Sequence, residues 1–218
     1  MKKEIIRFYI INLFFILFIV FSINFLDKKI VYLMNDINAH SNQFHFILFY
    51  KIPKWITYIP YILFGLSPLM IVFVAFNLWF KNAIKKIHIA LFLLSITLNI
   101  ALGMKVIFKF IFSRNNVFYF LKTNNDNFKW FQDFHSLSAF PSGHTIIVVS
   151  ASSLFYLIYP KYKIIYFTAS FLTVLSLILL KYHFLSDILF SIYLGTLISF
   201  FVYFSFKYFA KKEYTQNI

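Results

Sequence analysis

The chain has 218 residues, of which 61% are hydrophobic and 13% charged, with a net charge of +14 and a mean hydropathy of +0.77. A soluble domain averages about half apolar and one quarter charged, so this composition excludes a soluble globular protein and marks an integral membrane protein. In a soluble chain the positive charge would point to nucleic acid. Here most Lys and Arg flank apolar runs, where anchoring and topology account for them and no nucleic-acid partner is needed. The absence of cysteine excludes disulfides, thiolate metal sites and a cysteine nucleophile.

In chain order the apolar runs predict an all-α protein with six membrane spans in a single domain, residues 1–218. The first span is about 5–26. Its start resembles a signal peptide, but the run is too long and no small-x-small cleavage site follows, so it reads as an uncleaved helix. Residues of about 27–55 mix Asn, His and Lys with apolar residues and read as an interfacial helix pair. The second span, about 56–80, carries Pro60 and Pro68 and should bend. The third runs from about 87 to 112, and an Asn-rich, aromatic loop over 113–140 suits the headgroup level. The fourth, about 144–159, is short and ends at Pro160; the fifth and sixth are about 164–180 and 183–208.

With the N-terminus in the cytoplasm, six spans return the C-terminus there. The cytoplasmic segments then carry 11 of the 21 basic residues in short stretches almost free of acid. This orientation brings the end of span three and the starts of spans four and six to the outer face. The unusual polar residues sit at those three places.

The densest of them is Phe140-Pro141-Ser142-Gly143-His144-Thr145. Pro141 stops the preceding segment, Ser142 is a good N-cap, Gly143 permits close backbone approach, and an apolar helix begins at His144. Such a helix start presents free N–H groups and a positive dipole end, a seat for phosphate. His144, in the same turn, stands where it can protonate a group leaving that phosphate. At the mouth of span six, His183 and Asp187 are four residues apart, which on a helix gives a shared face. A carboxylate on one ring nitrogen fixes the tautomer and raises the basicity of the other, as a nucleophilic imidazole requires. The same spacing equally describes an interfacial histidine with a helix-stabilising partner. Lys105 and Lys109 share a helical face near the end of span three, with Arg114 beyond them. They read either as snorkelling anchors or as a cationic clamp on phosphoryl oxygens.

Taken together, these residues resemble the type-2 phosphatidic acid phosphatase superfamily. That family's pattern is Lys, six residues, Arg-Pro; then Pro-Ser-Gly-His; then Ser-Arg, five residues, His, three residues, Asp. The second motif is present in full at 141–144, and Ser176, His183 and Asp187 keep the third motif's spacing, so the resemblance covers about 105–190. It implies a phosphatase with no cofactor and no metal. His183 attacks phosphorus, Asp187 orients it, and His144 protonates the leaving oxygen. The lysines, Arg114 and the Ser142–Gly143 region bind the phosphoryl oxygens, as phosphoryl transfer demands.

Two departures stand out. Neither Lys105 nor Lys109 lies six residues before Arg114, and no proline follows that arginine. The third motif's arginine position holds Leu177, so one expected cation is missing; Lys181 stands either as its replacement or as an interfacial anchor. His135 reads as a headgroup contact or a loop histidine, and His40, His45 and His88 as structural or interfacial.

The variant first motif, the loop and the stretch 182–187 look most like a branch that includes lipid A 1-phosphatases. The expectation is therefore a bacterial inner-membrane enzyme with a periplasmic site and a membrane lipid phosphate as partner. Undecaprenyl diphosphate and phosphatidylglycerophosphate are the alternative substrates. Lipid-to-lipid phosphotransfer, or a non-catalytic lipid-binding or transport role, are the alternative functions.

Overall fold

A computed structural model describes residues 2–39, 47–81, 85–131 and 138–216. The helical elements in chain order are α1 (Lys2–Phe21), α2 (Asp27–Ala39), α3 (Ile52–Ile56), α4 (Ile59–Gly65), α5 (Ser67–Lys81), α6 (Lys86–Ile111), α7 (Val117–Thr123), α8 (Gly143–Ile158), α9 (Lys163–Leu179) and α10 (Leu185–Gln216). Two short strands, β1 (Phe112–Arg114) and β2 (Phe128–Trp130), pair antiparallel with Ser113 opposite Lys129. Five helical stretches among the described residues are long and apolar enough to cross a membrane, and Gly143–Ile158 is a shorter apolar helix. The chain is an all-α, multi-pass membrane protein.

The bends expected in the second span are present: turns at Thr57–Tyr58 and at Leu66 precede Pro60 and Pro68. Each proline removes a backbone donor and displaces the preceding turn.

The first helix departs from the sequence reading. Residues 27–39 are not a separate interfacial helix; they continue the first span through a π-helical turn, Ser22–Leu26, and the apolar stretch runs over Tyr9–Ile37. The π-turn closes with the Asp27 N–H on the Ser22 carbonyl, five residues back. It sets Ser22 and Asp27 on one inward face, both with 0% exposure. An acid at the end of an apolar run reads as the membrane boundary in sequence, whereas here it is turned into the protein. The remainder of that interfacial region includes His40 and His45, which lie outside the described residues.

The short helix α8 is the centre of the bundle. Ten of its 16 residues are buried. Leu93, Leu94, Leu98 and Ala101 of α6 meet Ile146, Ile147, Ala151 and Leu154 of α8, with Ile198 and Val202 of α10 completing the core. Where α8 and α10 touch, the Ser199 hydroxyl donates to the Ser150 carbonyl at 2.7 Å. A methyl on Gly195 would meet the Ile146 carbonyl at 3.0 Å, so the missing side chain lets the two backbones close up. Exposed Ile, Phe and Leu along α1, α5 and α9 supply the lipid-facing surface. A helix enclosed in this way need not match the bilayer by its own length.

A second, smaller cluster caps one end of the bundle: Val31 of α2, Val117 and Phe120 of α7, and Phe184 just before α10. Among the described residues, the loop over 113–140 carries the hairpin, α7 and an Asn115–Ser138 bridge. His135 lies outside the described residues.

Candidate active site

Ser142 caps α8 as expected, its hydroxyl accepting from the Thr145 N–H at 3.4 Å and from the Thr145 hydroxyl at 3.0 Å. Its side chain is fully buried and serves the helix, and its N–H donates to the Asp187 carbonyl at 3.5 Å. His144, the next turn's first imidazole, stands edge-on to Tyr61 of α4 with ring centroids 4.9 Å apart. On its other side is His183, ring centroids 6.4 Å apart. The two histidines of separate motifs therefore lie side by side, their rings inclined at 64°.

His183 and Asp187 meet, but not as a helical pair. α10 begins only at Leu185, so His183 lies in the turn before it. Asp187 accepts the Phe184 N–H at 3.0 Å, the reciprocal half of a capping box. That bond fixes the carboxylate at the helix mouth, with Oδ2 at 3.7 Å from His183 Nδ1. Nδ1 is buried and has no hydrogen-bond partner. At 3.7 Å the contact is not yet a hydrogen bond; catalytic contacts of this kind commonly tighten when substrate binds. The carboxylate thus lies on the Nδ1 side of the ring.

The lysines converge from α6. Lys105 lies over Gly143: a methyl there would stand 2.6 Å from Lys105 Cε and 2.8 Å from its Nζ. The glycine thus makes room for a lysine stem as well as for a ligand. Lys109 Nζ donates to the Ser138 carbonyl at 2.7 Å. Gly143→Ala is expected to push the flexible end of Lys105 aside and lower phosphate release about 10²-fold, with little change in melting temperature because only a side-chain tip must move. Unaltered release from that variant would show that Lys105 is not needed where it stands.

Arg114 occupies a different place from the one expected. It is 1% exposed, and each guanidinium nitrogen is directed at a protein oxygen. Nη1 donates to Asp187 Oδ1 at 2.9 Å and to the Ser186 hydroxyl at 2.8 Å, Nη2 to Asp27 Oδ2 at 2.9 Å, and Nε to the Asp126 carbonyl at 3.4 Å. Phe184 and Phe128 stack on it, 3.9 and 4.8 Å from the ring centroids. Burial opposes its charge, but Asp187 and then Asp27 outweigh burial and raise its pKa above the usual arginine value. A side chain so enclosed holds the aspartates and is not spread toward a phosphate.

Leu177 is fully buried, so the vacant arginine position is filled by packing. Lys181, in the left-handed region at φ 55°, donates to Asn35 Oδ1 at 2.9 Å. Among the described residues no contact ties it to His144 or His183. His88 is a structural residue, its ring accepting the Lys85 N–H at 3.2 Å. Sequence reasoning missed Asp27 and Ser186. Their only signal was an acid and a serine at helix ends, which ordinary capping explains equally well.

Two imidazoles, an aspartate and two lysines thus come together near the start of a buried helix. The model of the PAP2 superfamily matches residues 88–211, and the chain belongs to that family: it is a membrane phosphatase acting on lipid phosphates. Two solved structures are similar to the chain, and the first of them shares the fold. The "first transmembrane PAP2 type phosphatidylglycerolphosphate phosphatase from Bacillus subtilis" is 17% identical with a TM-score of 0.54, covering 92% of this chain and 94% of that one. Aquifex aeolicus LpxE is 19% identical with a TM-score of 0.46, covering 78% and 92%. No curated protein sequence matches the chain.

Proposed function

We propose that the chain removes the phosphate of a membrane lipid through a phosphohistidine, without a metal. The observation that carries this reading is the facing pair His144 and His183, with Asp187 behind the second ring and Lys105 against the first turn of α8. In the first half-reaction His183 Nε2 bonds to phosphorus, the bond from phosphorus to the lipid oxygen breaks, and His144 gives that oxygen its proton. In the second, water attacks phosphorus, His144 takes a proton from it, and the P–N bond breaks to release orthophosphate. Lys105 and Lys109 balance the charge on the equatorial oxygens.

The substrate is a lipid monophosphate or diphosphate. Lipid A 1-phosphate stands first because of the variant first motif and the stretch 182–187. Phosphatidylglycerophosphate stands second, as the substrate of the Bacillus subtilis phosphatase with the same fold. The charge distribution supports an inner-membrane location with the site toward the periplasm.

The test is phosphate release by the detergent-purified protein with EDTA present, on lipid A, phosphatidylglycerophosphate, undecaprenyl diphosphate and phosphatidic acid. Release that persists in EDTA supports the reading, and the preferred lipid identifies the substrate. Substrate loss without orthophosphate would mean transfer to a second lipid. No loss from any of the four would favour a binding-only role.

A further inference from the structure

We propose that Asp27, in the first helix, is a positioning residue for the attacking histidine; the proposal rests on the reading of His183 as nucleophile. Asp27 lies well before the family-matched segment 88–211, and its side chain is completely buried. Four donors converge on the carboxylate. These are the Ser22 hydroxyl at 3.1 Å, the Ser186 N–H at 2.9 Å, the Ser186 hydroxyl, and Arg114 Nη2 at 2.9 Å. The π-turn of the first helix supplies Ser22, and the first turn of α10 supplies Ser186.

A buried carboxylate is costly unless paired, and an apolar residue would join two helices more cheaply. The arrangement is explained by what lies on the far side of Arg114. The guanidinium joins Asp27 to Asp187 Oδ1, while Asp187 Oδ2 takes the Phe184 N–H and faces His183. Arg114 therefore sets the rotation of the Asp187 carboxylate. Without Asp27, the arginine's charge would be shared only between Asp187 and the more distant Asp126, whose Oδ2 stands 3.6 Å from Nη2, and the larger share on Asp187 would weaken its pull on the imidazole. With Asp27 sharing that charge, Asp187 stays both oriented and basic toward His183. This is the outer-partner relation by which a second carboxylate tunes a working histidine. Arg114, expected in sequence as a phosphate ligand, acts in the same chain of contacts.

The test uses the full-length protein in detergent and two small anions. Orthovanadate mimics the five-coordinate phosphorus bonded to the attacking nitrogen, and inorganic phosphate mimics only the bound ground state. Asp27→Asn keeps the shape and removes the charge. Its affinity for vanadate, read from the rise in melting temperature, should fall about 10- to 100-fold, with phosphate affinity unchanged. In turnover kcat should fall by a similar factor with KM unchanged. In an Asp187→Asn background the Asp27 change should have no further effect, because the path to His183 is already cut. Should Asp27→Asn fail to fold, Ser22→Ala removes one bond to the same carboxylate and should weaken vanadate roughly 3-fold. Equal vanadate affinity in the variant and the unaltered protein overturns the proposal, as does an undiminished effect in the Asp187→Asn background. If vanadate does not stabilise the unaltered protein at all, the histidine-attack reading itself fails and this proposal falls with it.

Discussion

His183→Ala is expected to abolish phosphate release, a fall of at least about 10⁴-fold, the scale seen when an enzyme loses its nucleophile. The ring is partly exposed at the mouth of α10, and its one carboxylate neighbour stands 3.7 Å from Nδ1 without a formed bond, so truncation removes little that holds the fold. Melting temperature should change by no more than a few degrees. The same variant should also fail to trap radiolabelled phosphate on the protein after an alkaline quench, the condition in which a phosphohistidine survives. His144→Ala gives the contrasting result. It loses the proton donor and keeps the nucleophile, so a substrate with a good leaving group, such as an aryl phosphate, should recover much of the rate. Residual turnover of the His183 variant within a factor of ten of the unaltered enzyme would remove this residue from the chemistry.

Arg114→Ala should be the most destabilising single change in the site, by about 3–5 kcal/mol. Removing the guanidinium leaves Asp27 and Asp187 buried without their common cation, and strips Phe128 and Phe184 of the group they enclose. Arg114→Lys should not rescue it, since one ammonium cannot reproduce the fork that reaches both carboxylates. Thermal melts in detergent, run beside phosphate release, decide between two roles. A residue that only gripped the phosphate would lose turnover at unchanged stability. Combined loss of both is the outcome the contacts require, and a stable, active alanine variant would contradict them.

The membrane character, the helix positions from Ile56 onward and the two bends followed from apolar run lengths and prolines, because lipid forces the backbone to satisfy itself within each segment. The pairing of His144 with His183 was also legible, since both fall at helix mouths that the same topology brings to one side. What escaped were the features set by turns and long-range contacts. Composition alone does not reveal that a π-turn carries the first helix past Asp27. Nor does spacing distinguish a helical His–Asp pair from the cap found at Phe184–Asp187. Arg114 was visible as a cation but not as one already claimed, because its partners lie 73 and 87 residues away along the chain.

That separation bears on biogenesis. The first helix is inserted while Arg114 is still 87 residues from synthesis, and the Ser186 donors to the same carboxylate come 159 residues after it. Until then Asp27 has only Ser22 beside it and must be left to water or headgroups, since an unpaired carboxylate is poorly tolerated in the hydrocarbon. Arg114 can reach the carboxylate first, and its remaining two donors, both from Ser186, come only with the last helix. The reaction centre and the finished bundle come into being together.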